Sequence, residues 1–331
     1  MSRAPAYLLF LLLSCCPGLS QGTKAGSGAT SNHNPRLKDA VFHSGSLERD
    51  MRYRVLLPLG YAKGGRFPVV YLLHGLYGDY LNWGTRTQLE NYARNLHLLI
   101  IMPDADDSWY TNSATVAGDK FEDYVAKDLV NEIDEKYRTI RDRHGRAIAG
   151  LSMGGYGAVK LTLKHPDLFV FAGSLSGAVN AAQDLDKLRP EFRAKLVEIF
   201  GNEGSRERSE NDIFLLLNSS HANSYPYFYL SCGTEDSFLD TNRAFVLQLA
   251  SRKIAYEYHE TPGGHTWDYW DGALQPMLEA ARRVLSAATL NEASELLRIS
   301  PRQTPDPGKH SFAPTALMKA ATINNAGSLT E

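Results

Sequence analysis

The chain has 331 residues, 43% of them hydrophobic, which is enough apolar material for one sizeable domain or two small ones. Its formal net charge is only −2, and acidic and basic residues are interspersed along the chain. Because there is neither a basic stripe nor an acidic tail, the composition argues against a nucleic-acid partner.

Residues 1–20 have the pattern of an export signal. Arg3 precedes the apolar run Ala6–Leu13, and small residues follow. The run is shorter than the roughly 20 residues that a membrane-spanning helix needs. Cleavage near Gly18–Ser20 would release a secreted or periplasmic protein. Leu12–Cys15 also resembles the lipobox of bacterial lipoproteins, and processing there would leave a lipid anchor on Cys15.

Residues 21–38 are rich in Gly, Ser, Thr and Asn and lack an apolar period, which predicts a flexible tether. Beyond the signal the chain keeps one cysteine, Cys232, so no intramolecular disulfide is expected. Cys232 lies in an apolar strand pattern and is interpreted as a small buried side chain. The chain has no C-x-x-C or H-E-x-x-H spacing, and we expect neither a metal nor a cofactor.

The following segments alternate between buried strands and amphipathic helices. The first two strand-like runs, Val41–Ser46 and Arg52–Leu57, predict an antiparallel entry pair. Further strands are predicted at Phe67–Leu73, Leu96–Met102, Ala147–Ala149, Phe169–Leu175, Tyr227–Ser231 and Ile254–His259, and helices at Asp119–Tyr137, Gly155–His165, Asn242–Arg252 and Tyr269–Leu285. This alternation predicts an α/β domain over residues 39–287, with a mostly parallel central sheet and helices on both faces.

Two segments depart from this alternation. Residues 180–223 become helical and charged, which predicts a small helical insertion that could act as a lid above the sheet. Residues 288–331 lose their apolar period and contain Pro301, Pro305 and Pro307, which predicts a loosely ordered tail.

The most informative motif is Gly150-Leu-Ser-Met-Gly154, a G-x-S-x-G match between a predicted strand and a predicted helix. This is the context of a nucleophile elbow, in which Ser152 stands at the apex of a sharp turn. The turn leaves no room for a Cβ atom two residues on either side of the serine, which explains the two glycines.

A serine hydroxyl needs a base that removes its proton and a carboxylate that orients the base. His265 follows two glycines at the end of the last predicted strand and is the best-placed base. Asp236 follows the strand before it and is favoured over Glu235 and Asp240, whose charges would also suit the start of the next helix.

Such a serine also requires two backbone N–H groups that stabilise a developing oxyanion. One is expected from Met153, directly after the serine, and the other from Leu76, in the glycine-containing turn after the strand that ends at Leu73. The neighbouring His74 is expected to shape this turn.

Four motifs together resemble the esterase D-like family of α/β-hydrolases. They are His74–Leu76, Gly150–Gly155, Cys232–Asp236 and Gly263–Trp267, and the similarity spans about Asp39 to Leu285. That family includes S-formylglutathione hydrolases, tributyrin, acetyl and feruloyl esterases, and mycolyltransferases. The resemblance implies the α/β-hydrolase fold, with Ser152 as nucleophile, His265 as base, Asp236 as acid, and the Leu76 and Met153 amides as the oxyanion hole.

The leading hypothesis is an exported carboxylesterase that acts on short acyl, acetyl-sugar or feruloyl-type esters, with no cofactor. An acyltransferase that passes the acyl group to a sugar or lipid hydroxyl would use the same residues. A binding protein that kept the fold and lost turnover is the third alternative. Tyr77, Trp83 and Trp267 lie near predicted strand ends and are candidate substrate-binding rings, although burial in the core would equally explain such residues.

Overall fold

The computed structural model describes residues 36–183, 185–219 and 225–289. The strands are β1 (Leu37–Ser44), β2 (Arg49–Leu56), β3 (Val69–Leu73), β4 (Leu99–Pro103), β5 (Arg146–Leu151), β6 (Phe171–Leu175), β7 (Tyr227–Gly233) and β8 (Tyr256–Thr261). They form one sheet in the order β1-β2-β4-β3-β5-β6-β7-β8. β1 pairs with β2, and β2 with β4, in antiparallel fashion, and all other neighbours are parallel. The predicted antiparallel entry pair and mostly parallel sheet are confirmed.

Helices cover both faces of this sheet. They are α1 (Asn82–Arg86), α2 (Leu89–Tyr92), α3 (Phe121–Asp123), α4 (Val130–Lys136), α5 (Met153–Lys164), α6 (Pro190–Phe200), α7 (Arg206–Ser209), α8 (Ile213–Ser219), α9 (Leu239–Ser251) and α10 (Trp267–Thr289). Short 3₁₀ turns occupy Tyr61–Lys63, Arg143–Gly145 and Leu185–Lys187. Side chains of α4, α5, α8 and α9 pack on one face of the sheet, and those of α1, α2 and α10 on the other.

The central strand β3 shows why these segments are almost continuously apolar. Val69, Tyr71 and Leu73 join the hydrophobic cluster on one face of the sheet, whereas Val70 and Leu72 join the cluster on the other. All five residues are buried, because successive side chains of a strand point to opposite faces and helices cover both.

The helix predicted over residues 119–137 differs from the expected regular α-helix. α3 continues through a π-helical stretch, Tyr124–Leu129, into α4. The consecutive residues Tyr124, Val125 and Ala126 are all buried in this wider turn. Hydrophobic periodicity does not reveal such a stretch, because one extra residue per turn shifts the apolar face without interrupting it.

The boundaries of the domain extend slightly beyond those predicted. β1 begins at Leu37, which pairs with Leu56, so the last residues of the predicted tether belong to the sheet. α10 continues to Thr289, two residues past the predicted end of the domain. The export signal, most of the tether and residues 290–331 lie outside the described residues. Within the described ranges, none of the helices has the length and apolarity needed to cross a lipid bilayer.

The 180–223 segment contains helices α6, α7 and α8 in its described part. α6 brings Phe192 to the wall of the cavity described below. A lid function for this segment remains a prediction.

Candidate active site

Four loops that carry candidate residues leave the same edge of the sheet. Ser152 directly follows β5, Leu76 follows β3, Asp236 follows β7 and His265 follows β8. Since these four strands are parallel, their carboxyl ends meet at one edge, and residues far apart in the sequence come together there.

Ser152 has an unusual backbone conformation between β5 and α5. Its φ is 53° and its ψ is −116°, a combination that a residue with a Cβ atom adopts only under strain. A Cβ on Gly154 would lie 2.5 Å from the carbonyl oxygen of Leu73, and one on Gly150 would lie 2.5 Å from the carbonyl carbon of Gly154. The steric reason expected for the two glycines of the motif is therefore present.

This strain predicts a difference in stability between two variants that both lack the hydroxyl. Ser152→Gly should have a free energy of unfolding about 1 kcal/mol higher than Ser152→Ala, because glycine adopts this conformation without the steric cost of a Cβ atom. Urea unfolding of both variants, followed by circular dichroism, measures the difference. Equal or lower stability of the glycine variant would show that the elbow stores no such strain.

A continuous line of hydrogen bonds joins three of the predicted residues. Nε2 of His265 lies 3.0 Å from Oγ of Ser152, and Nδ1 of His265 lies 2.9 Å from Oδ2 of Asp236. When Nδ1 donates its proton to Asp236, the lone pair of Nε2 faces the serine hydroxyl and can accept its proton. This is the geometry that acyl transfer through a serine requires.

Asp236 is the carboxylate hydrogen-bonded to His265, and its side chain is fully buried. Burial alone would raise its pKa, but hydrogen bonds from His265 and from the Phe238 N–H, 2.9 Å from Oδ1, bring the pKa below its ordinary value. The two alternative acids point elsewhere. Glu235 is exposed, and Asp240 pairs with Arg243 at the surface.

The turn after β3 lies against the serine. A Cβ on Gly75, the residue before Leu76, would be 3.5 Å from the Cβ of Ser152. Met153 is the first residue of α5, where a backbone N–H has no partner within the helix. In the turns, loops and helix caps of the described residues, neither the Leu76 N–H nor the Met153 N–H donates a hydrogen bond to a backbone carbonyl. The oxyanion hole expected from these two N–H groups remains a prediction.

The side chain of His74 holds this turn. Nδ1 is 2.8 Å from the carbonyl oxygen of Gly75, and Nε2 accepts a 3.0 Å hydrogen bond from the Ala105 N–H. The hydroxyl of Tyr110 donates to the His74 carbonyl at 2.8 Å. Burial lowers the pKa of His74, so the ring remains neutral and can accept from Ala105. The expected structural role of His74 agrees with these contacts.

A second support of the turn was not apparent from the sequence. The Tyr77 N–H donates to Oδ1 of Asp107 at 2.7 Å, and the other carboxylate oxygen of Asp107 is 3.5 Å from Nζ of Lys195 on α6. Tyr77 itself has a φ of 60°. Asp107 therefore holds the peptide next to the Leu76 amide in a strained conformation.

Removal of this carboxylate should weaken catalysis without unfolding the protein. Asp107→Ala should lower kcat/KM for p-nitrophenyl acetate about tenfold, the effect of one lost charge-assisted hydrogen bond. Asp107→Asn keeps an acceptor for the Tyr77 N–H and should stay within about threefold of the wild type. Steady-state kinetics, with a melting curve for each variant, tests this. Equal losses in both variants would assign the effect to the ion pair with Lys195 instead.

Lys160 on α5 is another residue whose role the sequence did not reveal. Its side chain is fully buried, and Nζ donates to the Tyr110 carbonyl and to Oγ1 of Thr111, each at 2.7 Å. Nζ also lies 3.2 Å from Glu122. Burial lowers the pKa of Lys160 to about 7. These contacts fix the loop of Trp109 and Tyr110, both with φ near 55°, against the helix that carries the serine. The sequence did contain one signal for this role, because Lys160 is a charged residue among the apolar residues of α5.

A cavity of about 540 Å³ opens over Ser152, His265 and Leu76. Its wall is largely aromatic, with side chains of Tyr77, Trp109, Phe192, Phe238, Trp267 and Trp270. Two of the three predicted substrate-binding rings, Tyr77 and Trp267, therefore lie at the cavity.

Trp83 does not line this cavity, and its prediction as a substrate-binding ring is not supported. It is 1% exposed, and its Nε1 donates to the carbonyl of Leu73 at 3.0 Å. Its ring packs edge-on against Trp267, with centroids 5.7 Å apart. Trp83 thus supports Trp267 from the core.

Cys232 is buried in β7, and burial raises the pKa of its thiol to about 12. A thiol that remains protonated at neutral pH is not a nucleophile, in agreement with the interpretation as a core side chain.

Residues 44–281 match the model of the family described as "Putative esterase". An acetyl esterase from Caldicellulosiruptor saccharolyticus is 29% identical over 61% of this chain and 78% of its own length. A diacylglycerol acyltransferase/mycolyltransferase Ag85B from Mycobacterium leprae is 26% identical over 68% of this chain and 78% of its own.

A solved structure of FphF, a fluorophosphonate-binding serine hydrolase from Staphylococcus aureus, superposes with a TM-score of 0.68. It is 28% identical, and the match covers 74% of this chain and 98% of that one. The predicted α/β-hydrolase fold is confirmed by this superposition and by the sheet order. The chain belongs to the esterase family whose model it matches over residues 44–281, and it is a serine hydrolase that acts on carboxylic esters.

Proposed function

We propose that the protein is an exported carboxylesterase in which Ser152, His265 and Asp236 form the catalytic triad. The observation that carries this proposal is the line of hydrogen bonds through the imidazole of His265, which lies 2.9 Å from Oδ2 of Asp236 and 3.0 Å from Oγ of Ser152. Ser152 and His265 both line an open cavity. The family membership supports ester hydrolysis or acyl transfer as the reaction.

The reaction proceeds in two halves. Oγ of Ser152 attacks the ester carbonyl while Nε2 of His265 accepts its proton, and the Leu76 and Met153 N–H groups stabilise the oxyanion. The imidazolium then protonates the leaving alkoxide, which leaves an acyl group on Ser152. Water enters, loses a proton to His265 and releases the acid. Buried Asp236 stabilises the imidazolium formed in both halves.

The cavity supports short acyl, acetyl-sugar or feruloyl-type esters as substrates. Its aromatic wall suits a planar acid or a sugar ring, and an acetyl esterase is among the relatives. Export is proposed from the pattern of residues 1–20. If Cys15 carries a lipid, the mature protein partitions into detergent, and a Cys15→Ala variant does not.

Covalent labelling tests the assignment of the nucleophile. A fluorophosphonate probe should react with one site in the native protein, and peptide mapping by mass spectrometry should locate the adduct on Ser152. Denatured protein, in which the hydrogen bond to His265 is lost, should not react and serves as the control. An adduct on any other serine of the native protein would refute the proposal.

Acyl transfer is the second candidate, favoured by the similarity to the diacylglycerol acyltransferase/mycolyltransferase. The ring of Tyr77 is 82% exposed beside the Leu76 amide, where an acceptor alcohol would approach. A hydrolase gives only free acid in the presence of a polyol such as glycerol or trehalose, whereas a transferase gives the new ester. Product analysis by mass spectrometry separates the two.

A further inference from the structure

One charged side chain stands out in the wall of the active-site cavity. Arg86, the last residue of α1, lines the cavity together with Asn82. Among the described residues that form the wall, Arg86 is the one Arg or Lys, and none is Asp or Glu. The one histidine among them is His265. The side chains that line the cavity therefore contribute one positive charge, and the negative charge of Asp236 lies buried behind His265.

Two acids, one before α1 and one bonded to the residue before α2, form hydrogen bonds with other groups. Asp79 accepts hydrogen bonds from the Leu81 N–H and from Nδ2 of Asn82. Asp271 on α10 accepts from the Gln88 N–H at 2.7 Å and from the hydroxyl of Tyr92. Among the described residues, the interaction found for the Arg86 guanidinium is its contact with the Trp267 ring. The group is exposed and remains available to a ligand.

Aromatic contacts place the guanidinium relative to the reacting atoms. Its Cζ is 5.8 Å from the centroid of the Trp267 ring, a cation–π contact. Trp267 packs edge-on against Trp270 at 5.3 Å, and Trp270 packs edge-on against His265 at 4.8 Å. Two indole rings thus separate the cation from the catalytic imidazole, along one wall of a single cavity.

We propose that the cavity selects esters that carry an anionic group, and that Arg86 binds this anion. The preferred substrate has a carboxylate, or another anion of similar size, separated from the ester carbonyl by a ring or short chain that lies along Trp267. A guanidinium offers two parallel donors to a carboxylate, and the Trp267 ring beside it offers a surface on which the rest of the ester can pack. This inference rests on the proposed esterase function and specifies its substrate class.

Two pairs of matched esters test the proposal on either side of the ester bond. For the alcohol side, para-acetoxybenzoate is compared with uncharged para-acetoxybenzamide. For the acyl side, the p-nitrophenyl monoester of glutaric acid is compared with p-nitrophenyl pentanoate. In at least one pair, Arg86→Gln should lower kcat/KM for the anionic ester about tenfold or more, mainly through KM, and change that for the uncharged ester by less than about twofold.

The controls separate charge from structure. Arg86→Lys keeps a positive charge and should retain part of the preference, whereas Arg94→Gln, which removes an exposed arginine outside the cavity, should leave both esters unchanged. The proposal is overturned if Arg86→Gln affects the anionic and uncharged members of both pairs equally, or affects none of them.

A binding measurement distinguishes this inference from the esterase assignment. Para-hydroxybenzoate and para-hydroxybenzamide contain no ester, and their binding can be followed by tryptophan fluorescence, because Trp267 and Trp270 line the site. The anion should bind more tightly to the wild type, and Arg86→Gln should remove the difference. If the wild type binds the anion more tightly than the amide but hydrolyses no ester, the esterase assignment alone is refuted. If the wild type binds the two ligands equally, the role of Arg86 is refuted.

Discussion

Ser152→Ala should lower kcat/KM for p-nitrophenyl acetate by about 10⁴ to 10⁶-fold, the largest effect expected of any single substitution in this protein. Without Oγ, no acyl-enzyme can form, and His265 at 3.0 Å has no hydroxyl to deprotonate. The activity that remains should come from the Leu76 and Met153 amides and from substrate positioning alone, because these do not depend on the hydroxyl.

The control for this variant is Ser209→Ala. Ser209 is an exposed serine on α7, outside the cavity, and its replacement should leave the rate within about twofold of the wild type. The rate is measured by stopped assays after any contaminating esterase has been removed. The assays use enough Ser152→Ala enzyme to detect a 10⁵-fold loss. If Ser152→Ala retains a tenth of the wild-type rate, the nucleophile lies elsewhere.

Asp236→Asn should lower kcat by about 10⁴-fold at neutral pH. An amide at this position can donate a hydrogen bond to Nδ1 of His265, which would leave the proton on Nε2 and point it at Ser152. The imidazole could then no longer accept the serine proton. The fold should persist, since the amide still accepts the hydrogen bond from the Phe238 N–H.

The control for Asp236→Asn is a second aspartate outside the hydrogen bonds to His265. Asp240→Asn removes a carboxylate whose side chain is 91% exposed and should change kcat by less than about twofold. In the wild type, hydrogen bonds from His265 and the Phe238 N–H hold the pKa of Asp236 below its ordinary value, so the group is ionised at neutral pH and should not cause a loss of activity there. A loss of less than tenfold in kcat for Asp236→Asn would assign the orientation of His265 to another group.

The sequence predicted those features whose causes lie within a few neighbouring residues. β3 is apolar throughout, and β5 is apolar after Arg146, because both faces of the sheet are covered, and this leaves a readable run of residues. The elbow is readable because the turn at Ser152 excludes side chains at positions 150 and 154. The chain order of Ser152, Asp236 and His265 followed from the resemblance to a family that has this order.

The supports of the site could not be predicted in this way. Lys160 reaches the Tyr110 carbonyl across 50 residues of chain, and Asp107 reaches the Tyr77 N–H across 30. Trp83 and Trp267 have the same side chain and both follow strand ends, yet only Trp267 lines the cavity. Which of the two rings reaches the cavity depends on tertiary packing, in which Trp83 is buried between Leu73 and Trp267, and no local pattern records that packing.

The sequence alone therefore determined the strands, the helices and the residues able to perform the chemistry, since these depend on local sterics and on the period of apolar side chains. Only the tertiary structure decided that Arg86 lines the cavity and that Asp107 and Lys160 hold its walls, and it places Asp236, which the sequence already favoured, against His265. Such contacts depend on the order of strands in the sheet and on close packing between distant segments, and both arise only when the chain has folded.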